Sequence, residues 1–311
     1  MDKLSFYKME AAGNDFILLD LRRSRSRRIK GMKYAEFCSK YCSRKKGIGA
    51  DGLLLIKKSK KSAFKMRIFN SDGSEAEMCG NGARCASLWF FLSHAENIKN
   101  REALPTLKLG SLAKRGRKAG MEDEKFTFET KAGSISAFIP KSRRVLDKNN
   151  SKIIKVKLTD PFDLKENMEV KVLGRTLRVN FINTGVPHVV VFVEGLEKID
   201  VRRIGRILRF HKKFQPAGAN VNFVEIKGKD EIRIRTYERG VEDETFACGT
   251  GAVASSILAN YKLGAKGKKI KMKVVTSEGE ELIIYSDSFE DRVRNVWSQG
   301  RVRLVYKGSI V

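Results

Sequence analysis

Cys79-Gly80-Asn81-Gly82-Ala83 recurs as Cys248-Gly249-Thr250-Gly251-Ala252, and each copy follows a Glu-rich loop and opens an apolar, helix-like run. A thiol in that place has a chemical use. The free N–H groups and the dipole of a helix start stabilise an anion, which favours the thiolate over the thiol. The glycines of one copy alone would be equally well explained by a tight turn or close helix packing. Two copies 169 residues apart, counted from Cys79 to Cys248, point to duplicated halves that each supply one Cys.

The elements that must carry these thiols repeat at nearly the same spacing. Gly-Ala-Asp-Gly-Leu-Leu-Leu-Ile at Gly49 to Ile56 has a partner in Gly-Ala-Asn-Val-Asn-Phe-Val-Glu-Ile at Gly218 to Ile226, offset by 169. Met66 to Asn70 matches Ile234 to Glu238 at 168, and Gly13 to Phe16 matches Gly185 to His188 at 172, each of the last two before an apolar run. The pattern implies two homologous domains related by a pseudo-two-fold axis, with a site in the cleft between them.

Hydrophobic periodicity predicts strands at Leu4 to Met9, Phe16 to Leu21, Gly52 to Lys57 and Phe64 to Asn70, with a helix at Lys33 to Tyr41. A second helix, Gly80 to His94, is apolar nearly all round and is therefore expected to be buried on every side. Leu104 to Glu124, rich in Lys and Gly, reads as an excursion before the strand Phe126 to Thr130. Strands follow at Ile135 to Ile139, Ile153 to Leu158, Glu169 to Val172, Arg175 to Asn183 and Val189 to Val193. Helix Ile199 to Phe210, strands Val221 to Ile226 and Glu231 to Tyr237, and helix Gly251 to Tyr261 then repeat the order of the first half. The strand-like tail Asn295 to Tyr306 is read as returning to the first sheet. The expected division is 1–130 with 295–311, and 131–294, in an α/β (α+β) chain.

At 311 residues and 41% apolar content the chain can build two cores. No apolar stretch approaches the ~20 residues that cross a bilayer, so no membrane partner is expected and a cytoplasmic location is the default reading. Five Cys, an odd number, and three scattered His (His94, His188, His211) suggest neither a disulfide framework nor a metal site. The net charge of +27 is concentrated at Arg22 to Lys33, Lys57 to Lys65, Lys108 to Lys118 and Lys262 to Lys273, all in or beside loop-like segments. Such a field attracts polyanions at low salt. The basic runs lack interleaved aromatics and follow no nucleic-acid-binding motif, so they read as solvated surface with no specific nucleic acid as partner.

Four motifs together carry a family resemblance. They are Lys8-Met9 through Gly13-Asn14-Asp15-Phe16, Gly47 to Gly52, Phe69-Asn70 through Met78-Cys79-Gly80-Asn81-Gly82-Ala83-Arg84-Cys85, and Tyr237-Glu238-Arg239-Gly240-Val241 through Ala247-Cys248-Gly249-Thr250-Gly251. In this order, over nearly the whole chain, they closely resemble diaminopimelate epimerase. The resemblance implies two similar domains, each a sheet wrapped around a central helix, and a homodimer. It also implies interconversion of LL- and meso-2,6-diaminopimelate without pyridoxal or any other cofactor. Inverting a stereocentre by proton transfer needs a base on one face of Cα and an acid on the other, which accounts for a pair of thiols, Cys79 and Cys248.

By the same resemblance Asn14, Asn70 and Asn220 contact the substrate, Glu238 and Arg239 read its distal ammonium and carboxylate, and the N–H groups of Gly80-Asn81 and Gly249-Thr250 hold the α-carboxylate. Asn14 and Asn70 also suit turns, and Arg239 a surface ion pair. His188 and Glu238 are expected to poise the thiols. Val186 departs from the pattern, standing where many members have Asn before Pro-His, and Asn183 is the candidate to supply that carboxamide. Gly52 stands where some members carry Gln. A proline or hydroxyproline racemase of related fold is the nearest rival, but its substrate has no distal group for Glu238 and Arg239 to read.

Overall fold

Alternating burial of Leu4, Phe6 and Lys8 makes the first segment a strand, β1 (Leu4–Ala11). Ala12 and Gly13, both at positive φ (51° and 84°), turn it tightly into β2 (Asn14–Asp20), with Ala11 opposite Asn14. The computed structural model describes residues 3–22, 33–100, 123–140, 145–246, 248–264, 267–289 and 292–310. The chain separates into two units, Met1–Val156 with Gly300–Val311, and Lys157–Gln299. The division expected at 130/131 lies in the turn between two fully paired strands, and the observed one lies at 156/157.

In the first unit the chain passes through α1 (Tyr34–Tyr41) and returns as β3 (Gly52–Lys57), parallel to β2. β4 (Lys65–Asn70) runs antiparallel to β3, the short β5 (Glu75–Ala76) folds back on β4, and α2 (Gly80–Asn100) follows. β6 (Glu124–Thr130), parallel to β4, β7 (Gly133–Ile139) and β8 (Ser151–Lys157) extend the sheet. β3 is covered on both faces, which explains its uninterrupted Leu53-Leu54-Leu55-Ile56. Leu53 and Leu55 pack with Phe37 and Cys38 of α1, whereas Leu54 meets the start of α2 at Gly82. Every α2 residue from Gly80 to Leu92 is buried, as its apolar circumference requires.

The second unit repeats this connectivity. β9 (Phe162–Val172) and β10 (Arg175–Asn183) form a hairpin, and β11 (Pro187–Phe192) lies antiparallel to β10. After α3 (Val201–Arg209), capped by the Asp200 side chain, β12 (Asn220–Ile226) pairs parallel with β11, as β3 does with β2. β13 (Glu231–Glu238) is antiparallel to β12, β14 (Asp243–Thr245) folds back on β13, and α4 (Gly249–Lys262) is buried continuously from Gly251 to Tyr261. β15 (Lys269–Val275), parallel to β13, and β16 (Glu281–Phe289) complete the series. In β17 (Arg292–Ile310), the segment Arg303 to Ile310 pairs antiparallel with β1.

Both units are sheet-dominated α+β structures with a buried helix. One reading needs correction: the basic run Lys262 to Lys273 is loop-like only in part. Lys269 and Lys271 are outward positions of β15, and Ile270, Met272 and Val274 alternate with its lysines and are buried. The expected excursion at Leu104 to Glu124 lies, up to residue 122, outside the described residues, and Glu124 already belongs to β6.

Candidate active site

Cys79 is half-buried directly ahead of α2, where its Sγ accepts the Gly82 N–H at 3.5 Å and its carbonyl accepts the Ala83 N–H at 2.8 Å. Gly82 makes this approach possible. A Cβ there would lie 3.1 Å from the side-chain ends of both Leu54 and Ile68, so the bare glycine lets the helix start rest closely on β3 and β4. Asn81 is buried and its side chain is engaged: Nδ2 donates to Asn14 Oδ1 at 2.6 Å, and Oδ1 accepts from Arg84 Nη2. Asn14 is thus fixed with its own Nδ2 as the remaining donor.

Asn14 is also held from the next residue. Asp15 is ion-paired with Lys8 at 2.6 Å and Arg44 at 2.9 Å, accepts the Asp51 N–H at 3.0 Å, and returns its own N–H to Asp51 Oδ2 at 3.0 Å. Burial alone would raise the Asp15 carboxyl, but the hydrogen bonds and charges of Arg44 and Lys8 outweigh it and hold the group at about 2. The network clamps the Gly47–Gly52 loop to the head of β2. Asn70, by contrast, is exposed and serves a turn, giving its N–H to the Ser74 carbonyl at 2.9 Å and its Nδ2 to Ser74 Oγ at 3.0 Å. An added Cβ at Gly52 would sit 2.5 Å from the Phe69 carbonyl oxygen, so this chain has no room for a Gln there.

In the second unit Cys248 is the N-cap of α4 and is only 6% exposed. Its Sγ lies 3.4 Å from Thr250 Oγ1, a hydroxyl that donates to a thiolate or accepts from a thiol. Thr250 is held in turn by Thr184, whose hydroxyl donates to the Thr250 carbonyl at 3.2 Å. Asn220 Oδ1 accepts the Arg239 N–H at 2.7 Å, while the Arg239 guanidinium donates to the Ala217 carbonyl at 2.9 Å. Glu238 accepts from Thr245 Oγ1 at 2.9 Å. Asn183 uses its Oδ1 locally, accepting the Gly185 N–H at 2.9 Å, and keeps only its amide nitrogen to offer.

His188 is completely buried beside Asn220 and Asn222. Burial, and then the positive charge of Arg239, pull its pKa down to about 3, so the imidazole is neutral at ordinary pH. The sequence reading missed Arg84, Asn222 and Thr236. Arg84 stood inside a quoted motif with nothing local to mark it as buried, and Asn222 and Thr236 look like ordinary strand residues until the two units are compared position by position.

The glycines of the two motifs are not equivalent. A Cβ at Gly251 would collide with Asn222 Oδ1, which is tied to Thr236, whereas the Cβ at Gly82 meets the movable ends of Leu54 and Ile68. Gly251→Ala is expected to cost about 1–3 kcal/mol and Gly82→Ala to be near neutral, because overpacking is expensive where the neighbour cannot yield. Thermal unfolding of both variants checks this, and the reverse order would contradict the packing described.

A family model described as diaminopimelate epimerase matches residues 6–148 and 180–305. Among curated relatives, the diaminopimelate epimerase of Aquifex aeolicus (strain VF5) is 39% identical, covering 99% of this chain and 98% of its own length. That of Hydrogenobaculum sp. (strain Y04AAS1) is 37% identical, with 97% of both chains covered. Solved structures of similar fold include a PhzF-family phenazine biosynthesis protein of Bacillus anthracis, with TM-score 0.66, 16% identity and all of both chains covered. A probable proline racemase from Agrobacterium radiobacter K84 aligns with TM-score 0.64 and 12% identity over 99% of this chain and 93% of that one.

Proposed function

We propose, from the premise that the chain belongs to the diaminopimelate epimerase family, that it interconverts LL- and meso-2,6-diaminopimelate by proton transfer between two thiols, in lysine and peptidoglycan synthesis. The observation that carries the reading is the recurrence of Cys-Gly-x-Gly-Ala at the start of a buried helix in each of two units of like connectivity. Cys79 and Cys248 act as base and acid on opposite faces of one Cα, and their roles exchange with the direction of reaction. Each sulfur has a donor at hand, the Gly82 N–H for Cys79 and the Thr250 hydroxyl for Cys248, which supports the charged form without a cofactor.

The carbanion has its charge spread onto the α-carboxylate, which the N–H groups at Gly80-Asn81 and Gly249-Thr250 receive. Asn14, with its Nδ2 left to donate, and Asn220 orient the substrate near this carboxylate, and Asn70 and Asn183 contribute through what their turns leave unused. Glu238 and Arg239 read the distal ammonium and carboxylate, a bidentate task that suits guanidinium. The reading extends to a cytoplasmic homodimer, as the resemblance implies.

Incubation of the purified protein with LL-diaminopimelate in deuterated water tests the proposal. Deuterium is expected at the inverted Cα as the meso form accumulates, and proline is expected to remain unexchanged. Exchange of proline in place of diaminopimelate would transfer the reading to the rival racemase.

A further inference from the structure

The strand registers align the two units residue by residue. Phe16 lies beside Gly52, and Leu54 lies beside Leu18 and opposite Ile68. In the second unit His188 lies beside Asn220, and Asn222 lies beside Val190 and opposite Thr236. The helix-start glycine falls on the same place in both, Gly82 on Leu54 and Ile68, Gly251 on Asn222. Four positions that the first unit fills with Phe, Gly, Leu and Ile are thus filled in the second with His188, Asn220, Asn222 and Thr236. Asn222 and His188 are fully buried and Thr236 nearly so. The first unit shows that an apolar packing serves the fold, and burying polar groups in its place has a cost that calls for another reason.

The hydrogen bonds determine which way each group faces. Asn222 Nδ2 lies 3.2 Å from the Val189 carbonyl, an acceptor only, so that side of the carboxamide is the NH2. The same Nδ2 is 3.0 Å from His188 Nδ1, and Asn222 Oδ1 accepts the Thr236 hydroxyl at 3.0 Å. Nδ1 is therefore an acceptor, and a neutral imidazole must carry its proton on Nε2. Asn220 does not compete. Its Oδ1 is taken by the Arg239 N–H, and its Nδ2 stands 3.5 Å from Nε2, donor facing donor, against a bond of 3.0 Å at the other nitrogen. Nε2–H has no acceptor among the described residues.

We propose that Asn222, held by Thr236, is a positioning residue that fixes His188 as the Nε2–H tautomer and makes it a hydrogen-bond donor to the anion of the active site, with no capacity to serve there as a base. The inference deepens the epimerase reading and rests on it for its catalytic consequence. The tautomer itself does not.

Long-range 1H–15N spectra of histidine-labelled protein, with His188 assigned through a His188→Gln variant, report the tautomer directly. Wild type is expected to show the proton on Nε2 at neutral pH. Asn222→Asp presents an acceptor to Nδ1 and is expected to move the proton there, lowering kcat about a hundredfold with KM nearly unchanged, the scale of a lost donor to an active-site anion. Asn222→Leu, which repeats the Leu54 of the first unit, keeps the packing and is expected to lower kcat while leaving the tautomer unfixed, so a poorly folding Asn222→Asp does not remove the test. A wild-type proton on Nδ1 would overturn the inference, and so would an Asn222 variant that changes neither tautomer nor kcat. A wild type with the expected tautomer but no turnover of diaminopimelate would overturn the epimerase reading alone.

Discussion

Cys79→Ala and Cys248→Ala are each expected to lose at least about a thousandfold in the rate of inversion, because in the proposed two-thiol mechanism each removes the acid or base from one face of the substrate carbon. Folding should survive both changes. Cys79 is half-buried at a helix start and Cys248 contributes a small side chain at an N-cap, so neither loss opens a large cavity, and stability is expected to change by less than about 1 kcal/mol. Cys85 supplies the control. It follows Cys79 on α2, is fully buried, and burial pushes its thiol well above the usual range, so it stays protonated and out of the chemistry. Cys85→Ser should therefore retain turnover per folded molecule. A two-base mechanism predicts equal loss from the two motif cysteines, measured as conversion of LL- to meso-diaminopimelate. A single variant that still inverts at the wild-type rate would refute it.

Much of this was legible because the chemistry and the duplication are written locally. The Cys-Gly-x-Gly-Ala motifs sit at the starts of α2 and α4, and the apolar circumference of α2 announced its burial. What the sequence hid falls into two kinds. β15 disappeared inside a basic run because its outward positions are lysines, and the eye reads charge before alternation. The Lys8–Asp15–Arg44–Asp51 network and the His188–Asn222–Thr236 chain join residues from separate strands and loops, whose only link is sheet register. The second was recoverable in principle. Matched at 169, Gly49–Ile56 and Gly218–Ile226 set Asn222 against Leu53, a position facing α1. The ladders require 168, which sets it against Leu54 on the face that receives the helix-start glycine. A one-residue slip moves a side chain to the opposite face of a strand, so a repeat found by motif spacing does not by itself say which residues correspond.

Acid should weaken the second unit through His188. Its folded-state pKa, lowered by burial and by Arg239 from 6.5 to about 3, means that below about pH 6.5 the unfolded chain takes up a proton that the folded chain refuses. The contribution is thus fully present above that pH and is lost as the pH falls toward 3, at about 1.4 kcal/mol per pH unit for one proton. Carboxylates titrate lower and blur the total, so the comparison that isolates the ring is wild type against His188→Gln. The variant removes buried packing and hydrogen bonds and should be the less stable at about pH 7.5, but it carries no proton-linked penalty. The gap between the two is expected to narrow by about 2 kcal/mol on going to about pH 5, read from urea unfolding at each pH. Asp15 does not mimic this, since its own loss of stability sets in as the pH falls through the ordinary carboxylate value of 3.8 toward about 2, below this interval, and is shared by both proteins. A gap that stayed constant across that interval would mean that His188 is free to take up a proton in the folded protein, and its neutrality in the buried chain of Asn220 and Asn222 would have to be abandoned.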